Sequence, residues 1–439
     1  MEFTQWRSQF SLCKSVAKTK SMTSKTYTNL FIFVIIIGCL LRLIWVEDME
    51  WKYDEWWMYT HAMLAPLEGI WQSVGMKSGA GIINPGLSVW VFSLIGYFVE
   101  TPLGMARGIM ILNVIALLGF IFFAKKSFKG EEQQQWFWAI ALLAANPLYI
   151  LFSRKIWAQD VLPIFCLLFI VGHFYREKKW GAFTWGMIGA MLGQIHMSGF
   201  FFAFGMFLLS TFFDYKRKIK WQWPFWFVGS VIGSIGLLPW IHEMIYNRGA
   251  SSTSLENLYK FDFYIYSFID PLGLNTMYSL REHFWDFIKM PFVFGMPTYL
   301  VAIGQLILVG VALKLLQQIF YLLKRIYNLR KGKELVNRVL YKSNATEFYL
   351  LATLFSLGIL MSFSGVKIRP HYLIIAYPFL FVYVVKLLFP HKKLLAVLIA
   401  VQLFISISLL TFIHVNGGAE KGDYGKAYHL QTEIPEKVE

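Results

Sequence analysis

Long apolar runs separated by short polar segments recur along nearly the whole chain, from Asn29 to Ile413. The first, 29–46, approaches the length of about 20 apolar residues that a helix needs to cross a bilayer. Further runs fall at 104–124, 136–152, 161–175, 181–195, 197–213, 223–241, 297–320, 347–363, 372–389 and 394–413. The pattern predicts an all-α polytopic membrane protein with about eleven transmembrane helices. The run 85–99, PGLSVWVFSLIGYFV, is read as lying against the membrane or dipping in and returning. Counted as a crossing, it would move every later basic loop to the opposite side.

Composition supports the same class. Of the 439 residues, 57% are apolar or aromatic and 15% are charged, against about 25% charged in soluble domains. A soluble enzyme, a disordered chain and a disulfide scaffold are excluded. The net charge of +15 would suggest nucleic acid in a soluble protein. Here Lys and Arg gather in the first 28 residues and in the short loops 125–129, 176–179, 216–220, 324–342 and 392–393. That clustering is the positive-inside signature, so no nucleic-acid partner is expected. It predicts a cytoplasmic basic N-terminus (1–28), a membrane module (29–413) and an extracytoplasmic tail (414–439). The outer face then carries a first loop, 47–103, and a long loop, 242–296. Residues 1–28 hold no apolar core and are not read as a cleavable signal. Cys13, Cys39 and Cys166 lie too far apart in sequence to suggest a disulfide framework or a metal site. The chain has no P-loop, no GxGxxG after a strand, no HExxH and no CxxC.

Candidate chemistry lies on the outer face. The first loop opens VEDMEWKYDEWWMYTHA, with Glu47, Asp48, Glu50, Asp54 and Glu55 beside Trp51, Trp56 and Trp57. A helix starting near Asp54 would put Asp54, Met58 and His61 on one face and Glu55 and Tyr59 on the next. Adjacent carboxylates near lipid resist joint ionisation, which favours one of them as a proton acceptor; a solvated acidic loop is the other reading. In NPLYILFSRKIWAQD, Arg154, Lys155 and Asp160 fall between two spans. They either snorkel and start a helix or serve the site. GQIHMSG offers Gln194, His196 and Ser198 as hydrogen-bonders to a sugar or phosphate, with His196 at the depth of Asp54. SGVKIRPHYLIIAYP sets Lys367, Arg369 and His371 at the outer mouth, against the positive-inside trend, where they suit a phosphate. Arg42, near the end of the first span, snorkels or meets a buried anion. In the long loop, Asp262, Asp270, Arg281 and His283 are weaker candidates.

The segment IIIGCLLRLIWVEDMEWKYDEWWMYTHA resembles the opening of the glycosyltransferase C superfamily. The resemblance is specifically to its protein O-mannosyltransferase-like branch, which includes the bacterial lipid A aminoarabinose transferases. The pattern is an Arg near the outer end of a span, an Asp-Glu pair and a Tyr shortly after, here Arg42, Asp54, Glu55 and Tyr59. INPGLSVWVFSLIGYF with Ala106-Arg107 is similar to the family's proline-led juxtamembrane segment, although Asn84-Pro85-Gly86 replaces the usual two prolines and a Leu. NPLYILFSRKIWAQD looks like its second acidic loop and RPHYLIIAYPFL like its late Arg-x-x-Tyr-Leu segment.

The resemblance implies a GT-C fold with juxtamembrane helices in the first outer loop. It implies inverting transfer of a hexosyl or pentosyl unit from polyprenyl phosphate to a lipid, glycan or protein acceptor. The catalytic candidates are Asp54, as general base, and Glu55. Donor and acceptor candidates are Arg42, Tyr59, His61, Arg154, Asp160, His196, Lys367, Arg369, His371 and Tyr372. No cofactor is required, and a weak divalent-metal site near Glu55 and Asp160 is the one metal suggested. The bilayer is the remaining partner, and a bacterial plasma (inner) membrane is expected. A lipid-linked sugar transporter or flippase, or an enzyme of O-antigen ligase or polymerase type, is the alternative reading.

Overall fold

The computed structural model describes residues 24–77, 83–247, 260–328 and 332–431. The residues before Ser24, part of the loop 242–296 and the last residues of the tail are among those outside these ranges. Each of the eleven apolar runs folds as a helix or as two helices in tandem. Four helical stretches among the described residues are long and apolar enough to cross a membrane: Pro102–Ser127, Ser198–Arg217, Leu300–Tyr327 and Phe379–Asn416. A fifth results if Trp223–Gly233 and Leu237–Tyr246, bent by 55°, form one span. The other apolar runs give shorter helices, among them Ser24–Leu43, Gly130–Ala145, Leu162–Phe174, Lys179–Ile195 and Ala345–Thr353, which continues as a π-helix over Leu354–Met361.

Local chemistry sets the breaks. Asn146 accepts from the Tyr149 N–H and Pro147 opens the next short helix, so the run 136–152 folds as Gly130–Ala145 and Pro147–Phe152. Phe379–Asn416 is interrupted at Phe389–His391, where Pro390 and the non-helical backbone of His391 end one helix before Lys392 begins another. Lys392 then reaches Gln134, while Gln402 bonds Asn146 and Ser406 bonds the Ala145 carbonyl. Lys392–Asn416 therefore runs beside Gly130–Ala145 in the same direction. Gly38 lets the first helix pack against the end of that one, since a Cβ there would stand 2.6 Å from the Ala144 carbonyl oxygen.

Contacts between the polar segments define two ends. At one, Lys386 pairs with Glu347, Glu132 accepts from Thr346, Arg176 donates to both carboxylate oxygens of Asp214, and Arg217 reaches Leu340 and Ser343. This end gathers the short basic loops. At the other, the first loop, the 153–160 turn, residues 270–283 and the tail pack together. Asn146 donates to the Asp270 carbonyl and Gln402 to that of Pro271, which ties the long loop to the helix ends. The described part of the tail, to Gln431, is held in place. It forms a small hairpin, Gly418–Ala419 with Gly425–Lys426, and lies along the first loop through Glu50↔Ala427 pairing, Tyr428 N–H to Met49 O and Gln431 to Trp51 O.

Candidate active site

The first loop contributes helix Tyr53–Glu68, which starts where Glu55 reaches back to accept from the Lys52 N–H at 3.0 Å, with Asp54 and Glu55 in its first turn. It ends at Gly69, whose φ of 74° suits glycine. A second helix, Leu87–Gly96, packs against it and, at ten residues, is too short to cross a bilayer.

The acids and cations meet where these elements adjoin the 153–160 turn. Glu50 is wholly buried and ion-paired on one oxygen to Lys52 and on the other to Lys155. Lys52 also donates to the Asp423 carbonyl of the tail. Both ammonium groups lie over the Trp157 ring, 4.5 Å from its centroid for Lys155 and 5.8 Å for Lys52. His371 packs edge-on against the same ring at 5.2 Å and against Tyr372 at 4.8 Å. Burial lowers Lys52, but Glu50, Glu55 and Asp423 outweigh it and hold the ammonium firmly protonated.

The carboxyl groups differ in kind. Glu55 is wholly buried, and burial together with Glu50 pushes it up to about 8, so at neutral pH it carries its proton. Asp160 is also buried, neither of its oxygens has a hydrogen-bond partner, and burial raises it well above the ordinary range against the pull of Lys155. Behind it lies a cavity of about 10 Å³ lined by Arg42, Asn113, Tyr149, Asp160 and Tyr377. Asp54 is half-buried and raised by burial, with Lys52 and Lys155 opposing. It makes no hydrogen bond to the described residues, and of Asp54, Glu55 and Asp160 it alone faces solvent.

Several expected site residues are committed elsewhere. Arg42 meets backbone carbonyls rather than a buried anion, donating to Gly38 and Ala144 through one nitrogen and to Leu143 through the other. Arg154 neither snorkels nor faces the site. It is 2% exposed and caps the end of the first helix through the carbonyls of Leu41, Ile44 and Trp45. Tyr59 donates to the Glu100 carbonyl at 2.7 Å, and His61 stacks on Trp57 with its Nδ1 2.9 Å from the Trp57 carbonyl. His196 meets Ser198 at 2.7 Å and the Tyr372 ring at 4.9 Å rather than Asp54, and burial brings it down to about 4. Gln194 donates to the carbonyls of Ala190 and Gly233.

The expected trio of cations is in fact a pair. Burial, with His196, Lys155 and Arg369 nearby, holds His371 well below its ordinary value and leaves it neutral. Lys367 and Arg369 are exposed and make no hydrogen bond or ion pair with the described residues. Sequence reasoning named Glu50 and Lys155 but not their pairing, and it missed Lys52 and Trp157, which complete the centre of the cluster. The signal for that pairing was two lysines beside acids in segments expected on the outer side, against the charge trend. Sequence reasoning also named Asp48 among the loop acids but not its partners: the side chain, 1% exposed, meets His414 at 2.7 Å and His429 at 3.3 Å, and its carbonyl accepts from Tyr424.

No three His, Cys, Asp or Glu side chains gather as a metal set among the described residues. Glu55 and Asp160 lie near two ammonium groups that already neutralise Glu50, a donor set that fits a divalent ion poorly, and no step is routed through one.

No family model matches the chain, and no curated protein matches it. Among solved structures, it is similar to the crystal structure of the Archaeoglobus fulgidus oligosaccharyltransferase in the apo form. The TM-score is 0.43 and the identity 13%, over 93% of this chain and 57% of that one. The chain thus spans little more than half the length of that protein.

Proposed function

We propose that the chain is a multi-pass membrane glycosyltransferase of GT-C type, with about eleven crossings. It would move a sugar from polyprenyl phosphate to an acceptor at the end that holds the acid cluster. The observation that carries this reading is the division of labour among the carboxyl groups. A wholly buried Glu55 holds its proton, while the neighbouring Asp54, within reach of the Lys52 and Lys155 charges, opens to solvent. An acceptor hydroxyl attacks the anomeric carbon, and its proton passes to Asp54. The bond from that carbon to the phosphate oxygen breaks, and polyprenyl phosphate leaves with the electron pair. Lys367 and Arg369, the cations not already paired, receive its charge. Neutral His371, on the Trp157 platform, serves as a hydrogen-bond donor there. The Glu50–Lys52–Lys155 set holds the first loop and the 153–160 turn in register around Asp54. The end with the basic loops is cytoplasmic in this reading, and the membrane is a bacterial plasma membrane.

The test uses the full chain in nanodiscs with a panel of labelled polyprenyl-phosphate sugars and cell-envelope extract as the acceptor source. Release of free polyprenyl phosphate that requires Asp54 supports the reading and identifies the sugar. Tight donor binding with no release from any sugar favours a transporter or a ligase instead.

A further inference from the structure

At the end opposite the acid cluster, three elements enclose a cleft of about 880 Å³. Tyr27 comes from the first helix, Lys314 from Leu300–Asn328, and His391, Lys392 and Lys393 from the turn that opens the last helix. Phe389, Pro390 and Leu394 complete the wall, and among the described residues no carboxylate lines it. Three lysines therefore line one space. Lys392 is steadied by Gln134 at 3.1 Å and by the Phe389 ring at 4.7 Å, and Lys314 by Gln317 at 2.8 Å.

Depth makes the cluster informative. Lys314 lies about 21 Å along its helix from Leu300, at 1.5 Å per residue, in a stretch otherwise long and apolar enough to cross a membrane. A lysine so placed is costly unless its head reaches an anion or the headgroup layer. Neighbouring Leu313 and Leu316 are exposed, so this side of the helix faces lipid. Lys392 and Lys393 occupy the first turn of a 25-residue helix, where free backbone N–H groups also favour an anion. The cleft combines three lysines with an aromatic and apolar wall.

We infer that this cleft is a binding site for the phosphate of an anionic membrane lipid, separate from the proposed transfer site. The lysines take the phosphate, and Tyr27, Phe389 and Leu394 pack against the first carbons of the chain. A phospholipid phosphodiester and a polyprenyl phosphomonoester share this chemistry.

The full chain, purified in detergent, is titrated with phosphatidylglycerol, polyprenyl phosphate and phosphatidylcholine, and native mass spectrometry counts the lipid retained. The wild type retains one or both anionic lipids over phosphatidylcholine, and the more strongly held one names the source. The variant K314Q/K392Q/K393Q weakens that retention about a hundredfold, while K314R/K392R/K393R keeps it. Thermal melting of both variants shows that each is folded, and the Arg variant carries the test if the Gln variant is not. Equal retention of all three lipids by the wild type overturns the inference, as does full retention by a folded Gln variant. Loss of retention in a folded Arg variant, or displacement of the lipid by millimolar inorganic phosphate, also overturns it. Donor turnover is measured in parallel, so failure here leaves the reading of the transfer site standing.

Discussion

Asp54 and Glu55 are adjacent in sequence and opposite in role, and burial is what separates them. Asp54→Asn keeps the shape and removes the base, so turnover should fall by at least about 10²-fold; an unchanged melting temperature would show the loss to be chemical. Glu55 gives a pH signature. Its folded value of about 8 exceeds its ordinary 4.5, so between those values the folded state binds more protons than the unfolded. Stability therefore falls as pH rises through that window and levels off above about 8. Glu55→Gln removes this contribution, so its melting temperature should gain on the wild type steadily from pH 5 to pH 8. Parallel curves would mean that Glu55 is ionised in the folded state. Composition and spacing made these two residues and Asp160 readable as a group. They could not say which was buried, because that depends on elements more than a hundred residues away.

At the scale of elements, arginine and lysine join segments that are distant in sequence. Arg154 closes the end of the first helix from the 153–160 turn, and Arg42 closes the end of Gly130–Ala145 from the first helix. The sequence marks both as unusual charges near span ends but does not show that carbonyls rather than ligands receive them. Arg154→Ala should leave the Leu41 and Ile44 carbonyls without this donor, while Trp45 keeps the Asp48 N–H, and cost about 2 kcal/mol or more, at about 1–3 kcal/mol for each unsatisfied buried group. Arg154→Lys should rescue little of this, because an ammonium lacks the planar fork that spans Leu41, Ile44 and Trp45. Lys155 makes a parallel case. Lys155→Met leaves Glu50 buried with one partner and should cost about 3–5 kcal/mol. Adding Glu50→Gln to the same chain should recover much of that loss in a double-mutant cycle. Additive losses would show that the two side chains do not act as a pair.

Over the whole molecule, charge asymmetry along the chain anticipates a spatial sorting. The basic loops that a bilayer would hold on the cytoplasmic side contact one another, and the acid-rich segments meet at the opposite end. That sorting was legible because each short loop carries its own sign. The docking of residues 417–431 onto the first loop was not, since it depends on Asp48, Tyr424 and two histidines brought together across more than 360 positions. The sorting can be tested in intact membranes on a background with Cys13, Cys39 and Cys166 replaced by alanine. Single cysteines at Lys129, Glu177 and Lys393, all exposed at the basic end, should react with an impermeant maleimide only after the membrane is opened. Cysteines at Glu282 and Lys421, exposed at the acid end, should react in sealed cells. The informative pair is Lys393 and Lys421, which flank the last helix. Opposite labelling fixes Lys392–Asn416 as a complete crossing and places the tail, with its hold on Asp48, on the same side as Asp54. Labelling of both from outside would break that link and leave the transfer site without the element that closes it.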